Sequence, residues 1–186
     1  MAPKPTLPAC GYIVAGLGLP VAMVDELLSE AKDRTYEPVF KTVGGEEDDG
    51  LCKQSRISRR SAAIANLRNA ICDITACLDP GWNPTVFSFV LSLPSGDEKE
   101  PRQDYPNEVI ATAAKKKTGR IPASAIFALD EGTILRVFSG CFTTRDDTKA
   151  CEVRIPVGYC IIFRGDLIPN GMPYAATNHR IHCYLS

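Results

Sequence analysis

The chain has 186 residues, 45% hydrophobic and 23% charged, which is enough for one well-filled domain and too little for two comfortable ones. A formal net charge of −1 gives no global field to draw it onto nucleic acid or an anionic membrane. No apolar run reaches the ~20 residues of a membrane span, and "MAPKPTLPACGYIVAGLGLP" has one early lysine and then prolines where a secretory signal needs an unbroken apolar helix, so a single soluble domain over 1–186 is expected, intracellular, in the cytoplasm or an organelle.

In chain order, residues 1–20 read as an extended, proline-punctuated lead-in with a first strand at Tyr12 to Val14. "LPVAMVDELLSEAKDR" then puts Val21, Val24, Leu27 and Leu28 on one helical face, with Pro20 where a first-turn proline is tolerated. An amphipathic helix of this kind should lie against something flat and apolar. "VGGEEDDG" reads as an exposed acidic loop. "SRRSAAIANLRNAICDITACLD" spaces Ile64, Leu67, Ile71, Ile74 and Leu78 by three and four, the clearest helix of the chain, ended by Asp79-Pro80-Gly81.

"NPTVFSFVLSLP" follows with period two, Phe87, Phe89 and Leu91 on one face and Val86, Ser88 and Val90 on the other, so this strand should be covered on both sides. "SGDEKEPRQDYPNEVIATAAKKKTGRIP" is a long polar loop, with one helical turn expected around Val109 to Lys116. A loop of this length in a compact domain is more often functional than idle. From Ala123 the pattern is all strand: "ASAIFAL", a "DEG" turn, "TILRVF", a polar tip "TTRDDTK", the return "CEVRIPV", then "YCIIF", an "RGD" turn and the closing strands. Helices in the first half and short antiparallel strands in the second predict an α+β fold, a jelly roll or small barrel with the helices packed on one sheet.

The last strand carries the most chemistry. In "NHRIHCYLS", period two separates Ile181, Cys183 and Leu185, which suit a face packed on the helices, from Arg180, His182 and Tyr184, which point into the mouth of the roll. An arginine on a rigid strand is well suited to hold a carboxylate through two parallel hydrogen bonds. A structural ion pair, with Asp104 or Asp166, reads the same pattern equally well. His179 should point away from Arg180 across the pleat.

The eight cysteines have no CxxC pair, which argues against a zinc site of the usual spacing. They read as buried free thiols in a reducing compartment, with Cys141 and Cys151 as the one pair that could face each other across a hairpin. "AGLGLP" lacks the third glycine of a dinucleotide loop. "KQSRISRR" and "AAKKKTGR" are basic, but Arg59, Arg60 and Lys115 to Lys117 would have to share a face to meet phosphates, so no dedicated nucleic-acid binding is expected. With only His179 and His182, and no GxSxG, a nucleophilic hydrolase is poorly supported.

"GYIVAGLGLP", "VFSFVLSLP", "RQDYP", "SAIFALDEGTILRVFSG" and above all "GYCIIFRGDLIPNGMPYAATNHRIHCYL" together resemble the 2-oxoglutarate and Fe(II)-dependent dioxygenases of the prolyl-hydroxylase type. The resemblance runs over most of the chain and is densest at its end. It implies a double-stranded β-helix with helices on the major sheet. It also implies a His-x-Asp motif, a distant second histidine and an arginine for the far carboxylate of 2-oxoglutarate, the three metal ligands forming a facial triad. Carried over, the first histidine falls on Arg102, the carboxylate on Asp104, the second histidine on Pro169 and the arginine on Arg180. Arg102 has no lone pair to give a metal, and Pro169 has no side-chain donor.

The degenerate positions Arg102, Asp104 and Pro169 therefore predict no cofactor: Fe(II) is not expected, 2-oxoglutarate only as an option, with Arg180, His182 and Tyr184 as the binding residues. Arg102 is expected to pair with Asp104 in place of a metal. Three readings remain: a catalytically inactive dioxygenase-like domain serving as a binding or structural subunit with other protein chains, an active dioxygenase with an altered iron site, and a metal-free binder of 2-oxoglutarate or a small acid at Arg180.

Overall fold

The computed structural model describes residues 7–39, 50–116 and 119–186. The acidic run lies outside the described residues except for Gly50, as do the first six residues and Lys117 of the basic cluster.

The elements run β1 (Tyr12–Gly16), α1 (Val21–Lys32), β2 (Glu37–Pro38), β3 (Cys52–Arg56), α2 (Ala62–Leu78), β4 (Pro84–Ser92), α3 (Asn107–Lys115), β5 (Ala123–Ala128), β6 (Ile134–Phe138), β7 (Ala150–Arg154), β8 (Tyr159–Arg164), β9 (Pro169–Gly171) and β10 (Asn178–Leu185). Ser61 starts α2: its side-chain oxygen accepts from the Ile64 amide at 3.2 Å, and its hydroxyl donates to Glu30 Oε2 at 2.7 Å, so one residue caps α2 and ties it to α1. The predicted stripe is the buried one, with Ile64, Leu67 and Ile71 at most 1% exposed. The helix ends at Asp79, which leaves the helical region ahead of Pro80 as that proline requires.

Two antiparallel sheets face each other. The larger has the order β1-β8-β5-β10-β4-β3-β2, the smaller β7-β6-β9. Helices α1 and α2 pack on the outer face of the larger sheet, where Leu27, Ile64 and Leu67 meet Phe87, Phe89, Ile181, Cys183 and Leu185. A second apolar cluster, including Ile161 and Phe163 of β8 with Leu135 and Val137 of β6, lies between the sheets. The fold is the expected α+β jelly roll with its helices on the major sheet. No helix among the described residues is long and apolar enough to cross a membrane.

Three local expectations need correction. Strands β2 and β3 have no counterpart in the sequence reading. "CKQSR" carries little apolar signal because the backbone ladder to β4 holds it while Cys52 and Gln54 turn inward beside that strand. Helix α3, Asn107–Lys115, is nine residues, longer than the one turn expected, and buries none of them. Cys141 and Cys151 do not pair: β7 sets Cys151 opposite Val137, while Cys141 sits beyond β6 in a separate cluster with Phe138 and Ile168. Both are free thiols; Cys141, Cys160 and Cys183 are buried, whereas Cys77 and Cys151 are exposed.

The RGD segment is the tight turn expected. Arg164 makes a two-pronged ion pair with Asp166, at 2.9 and 2.7 Å, and the Leu167 amide closes onto the Arg164 carbonyl at 3.0 Å. Gly165 is packed so closely on Tyr105 that a Cβ there would lie 2.4 Å from its ring. This anchors the loop that carries Asp104.

Candidate functional site

Pleat alternation in β10 decides the site. Ile181, Cys183 and Leu185 go to the helices; Arg180, His182 and Tyr184 go between the sheets. Strand β5 brings Ile126 opposite His182 and Ser124 opposite Tyr184, and β4 brings Val90 opposite Arg180. The chain from Lys99 to Arg102 runs antiparallel to β9, with the Lys99 amide on the Gly171 carbonyl at 2.9 Å and the Arg102 amide on the Pro169 carbonyl at 3.0 Å. That stitching sets Arg102 and Pro169 side by side. Pro169 does lack the amide of a normal strand residue, but its carbonyl still works in the ladder.

The result is a cavity of about 200 Å³ lined by Arg102, Asp104, Pro169, Arg180, His182 and Tyr184, together with residues of β3, β6 and β9. All six positions singled out in the sequence meet there. The volume is below the ~300–1,000 Å³ usual for drug-sized ligands and suits a small metabolite.

Arg180 Nη1 donates to Ser92 Oγ at 3.0 Å and more weakly to Asn178 Oδ1 at 3.5 Å. Its guanidinium lies 5.2 Å from the centre of the Tyr174 ring, whose hydroxyl is fixed by donating to the Ile134 carbonyl at 2.9 Å. Asn178 is held in turn by donating to Thr133 Oγ1 at 3.0 Å. The ion pair considered for Arg180 is not made: Asp166 belongs to Arg164, Asp104 faces His182, and among the described residues no carboxylate meets Arg180. Its partners there are two neutral oxygens and an aromatic face, which orient a cation without neutralising it.

Asp104 Oδ2 lies 3.0 Å from His182 Nε2. This corrects the expected Arg102–Asp104 pair: the imidazole is within reach on a rigid strand, and Arg102 acts on the carboxylate only through its charge. Burial pushes Asp104 up, and the hydrogen bond and charge of His182 pull it down. The buried Ser124 hydroxyl, beside it without full hydrogen-bond geometry, and the Arg102 charge add to them, so the carboxyl is held below its usual range. Tyr184 stacks edge-on against His182, ring centres 4.7 Å apart, and against Tyr105 at 5.2 Å. Burial raises the Tyr184 phenol, so it stays a neutral hydrogen-bonding group. His179 points to the other face, Nδ1 2.7 Å from Asp130 Oδ2, as the pleat requires.

Ser92, Tyr174, Asn178 and Thr133 were missed. Ser92 was legible: it continues the inward set of β4 two residues after Val90. Tyr174 lies in a loop without periodicity and left no signal.

No family model matches the chain, and no curated protein does. Solved structures do match its shape. A Pseudomonas putida prolyl-4-hydroxylase aligns at 16% identity and a TM-score of 0.69, over 94% of this chain and 91% of that one. The α-ketoglutarate-dependent non-heme epimerase SnoN of nogalamycin biosynthesis aligns at 13% identity and a TM-score of 0.72, over 96% and 78%. The same epimerase in complex with Fe3+, α-ketoglutarate and nogalamycin RO aligns at 14% and 0.68, over 95% and 79%. At such identities the likeness carries the fold: this is a jelly roll of the 2-oxoglutarate oxygenase type.

These neighbours correct the expectation of no cofactor. They include an α-ketoglutarate-dependent enzyme seen with both iron and α-ketoglutarate, so this fold points to that pair rather than to none. The two members fit the residues here unequally. Arg180, lined up by Ser92 and Tyr174 and met by no carboxylate among the described residues, fits the far carboxylate of 2-oxoglutarate. The three-residue iron triad does not fit, since Arg102 and Pro169 stand at two of its positions and no group of three metal-binding side chains occurs among the described residues.

Proposed function

We propose that this domain binds 2-oxoglutarate through Arg180, with His182 and Tyr184 lining the site, and does not hydroxylate a substrate. The observation that carries the reading is Arg180 itself: a cation inside a small cavity, positioned on two sides by Ser92 and Tyr174, with no carboxylate of the described residues upon it. Such a group is costly to hold unpaired and well placed to form two parallel hydrogen bonds to an incoming carboxylate. Loss of hydroxylation follows from Arg102 and Pro169, which bring no donor to the positions where the resemblance places imidazoles.

A second reading, an oxygenase with a rearranged centre, draws on one contact. Asp104 and His182 lie 3.0 Å apart, a carboxylate and an imidazole side by side in the same cavity. Anaerobic addition of Fe(II) and 2-oxoglutarate, followed by oxygen and assay of succinate, separates the two. We expect no visible charge-transfer band and no succinate above the buffer control. A band with succinate formation would establish the rearranged centre instead.

A further inference from the structure

A second cavity adjoins the loop that carries Asp104. Asp104 and Tyr105 are neighbours in the chain, yet Asp104 lines the inner cavity and Tyr105 this one. It is a cleft of about 400 Å³, inside the range of small-molecule sites. One wall is a face of α3, where Val109, Thr112, Ala113 and Lys116 stand at helical spacings of three and four. The helix buries none of its residues and leaves Val109 44% exposed, so its apolar face meets open space where a packed helix would meet core. The floor, Tyr105 and Pro122, is fixed: the Tyr105 hydroxyl donates to the Ala123 carbonyl at 2.9 Å, and its ring rests on Gly165.

The cleft is polarised. Glu108 lines one end, at the start of α3. Lys116 lies ~12 Å further along at ~1.5 Å per residue. The Gly119 amide closes onto the Lys116 carbonyl at 2.8 Å, and this turn brings Arg120 to the same end. Arg120 is oriented: its Nε donates to Asp79 Oδ1 at 2.9 Å, and its guanidinium lies so close on Gly81 that a Cβ there would fall 1.9 Å from Cζ. The bond to Asp79 uses Nε alone, and Nη1 and Nη2 have no hydrogen-bond partner among the described residues. Lys116 and Arg120 against Asp79 leave a surplus of one positive charge at this end. The negative end of the α3 dipole opposes it only weakly.

We propose that this cleft is a second ligand site, separate from the Arg180 cavity, and that it takes a monocarboxylate with a hydrocarbon tail, a medium-chain fatty acid in class. The carboxylate meets the two open nitrogens of Arg120, with Lys116 beside them, and the tail lies along Val109, Ala113 and Pro122. A single surplus charge matches a carboxylate better than a phosphate dianion. The tail covers the face that α3 leaves in water, so the apolar burial missing from the helix is supplied by the ligand. Glu108 at the far end sets a polar limit to the length of that tail.

The chain carries its own reporter. Its single tryptophan, Trp82, follows Gly81 directly and donates from Nε1 to the Ile121 carbonyl at 2.9 Å, so its emission senses a ligand at Arg120. Titration of the full chain with octanoate, 1-octanol and acetate, read by Trp82 fluorescence and by calorimetry, tests the site. We expect saturable octanoate binding that shifts the emission, binding of octanol about ten-fold weaker for want of the charged hydrogen bonds, and none of acetate. Arg120→Gln and Lys116→Gln should each weaken octanoate and leave octanol unchanged. Ala113→Leu, a helix-compatible change that fills the cleft, should weaken both. Lys116 is exposed and Ala113 only half-buried, so these two variants decide the matter even if Arg120→Gln, which also loses its bond to Asp79, folds poorly. Arg180→Gln should bind octanoate like wild type. No saturable octanoate binding, binding unmoved by Lys116→Gln and Ala113→Leu, or binding lost in Arg180→Gln would each overturn the proposal, the last by placing the acid in the inner cavity.

Discussion

Arg180 and Asp104 show how the same cavity treats a cation and an anion differently. Asp104 is satisfied internally by His182, and Arg180 is only oriented, by Ser92 and Tyr174. The Asp104–His182 contact has a consequence for stability. Because the folded carboxyl is held below its unfolded value of ~3.9, it contributes stability that is present above about pH 4 and is lost as the pH falls through the folded value. Replacing His182 by Leu leaves burial as the dominant influence and strands the carboxylate. We expect a loss of about 1–3 kcal/mol in urea unfolding at pH 7, with wild type and variant converging only as the pH falls below the lowered folded value of the wild type, where Asp104 is protonated in both. Equal stability at pH 7 would show that the pair does not hold the carboxylate. For Arg180, substitution by Lys keeps the charge and removes the fork, so 2-oxoglutarate affinity should fall by about ten-fold rather than vanish.

At the scale of elements, the segments with a strong period were legible and the ones held by backbone alone were not. The α2 stripe, the two faces of β4 and the alternation of β10 follow from apolar spacing, because each buries one face against the other layer. β3 has no such face to announce it, and its place beside β4 comes from ladder hydrogen bonds that any sequence can make. Ser61 is worth testing because it joins elements: Ser61→Ala removes both the cap on α2 and the bond to Glu30, and should cost about 1–2 kcal/mol by chemical denaturation. A cost near zero would mean that α1 and α2 are tied only through their apolar contacts. The stitching of residues 99–102 onto β9 gives a gain-of-function test. Since Arg102 and Pro169 are neighbours there, Arg102→His with Pro169→His would add two imidazoles close to Asp104. We expect the double variant to acquire Fe(II) binding by metal analysis after dialysis, above the level of wild type and of either single change.

Over the whole molecule, the sequence carried the architecture and the membership of the cavity, and was silent on how the charges inside it are paired. That silence has a physical origin. Alternation says which way a side chain points, but whether Asp104 meets Arg102 or His182 depends on sub-ångström packing of a loop against a strand, which no periodicity encodes. The corrected cofactor expectation has the same root. The losses at Arg102 and Pro169 were visible one residue at a time, whereas the persistence of a formed cavity with an oriented arginine is a property of two facing sheets and of a fold shared with α-ketoglutarate-dependent enzymes. A folded-state ligand must stabilise the fold, so saturating 2-oxoglutarate at about a hundred times its dissociation constant should add ~2.7 kcal/mol to unfolding.

The most direct measurement is the heat of 2-oxoglutarate binding to the wild-type protein beside its Arg180→Gln variant, each shown to be folded. Saturable binding with one site per chain, lost in the variant, is the predicted result. Absence of binding to the wild type, or equal binding to both proteins, would contradict the account.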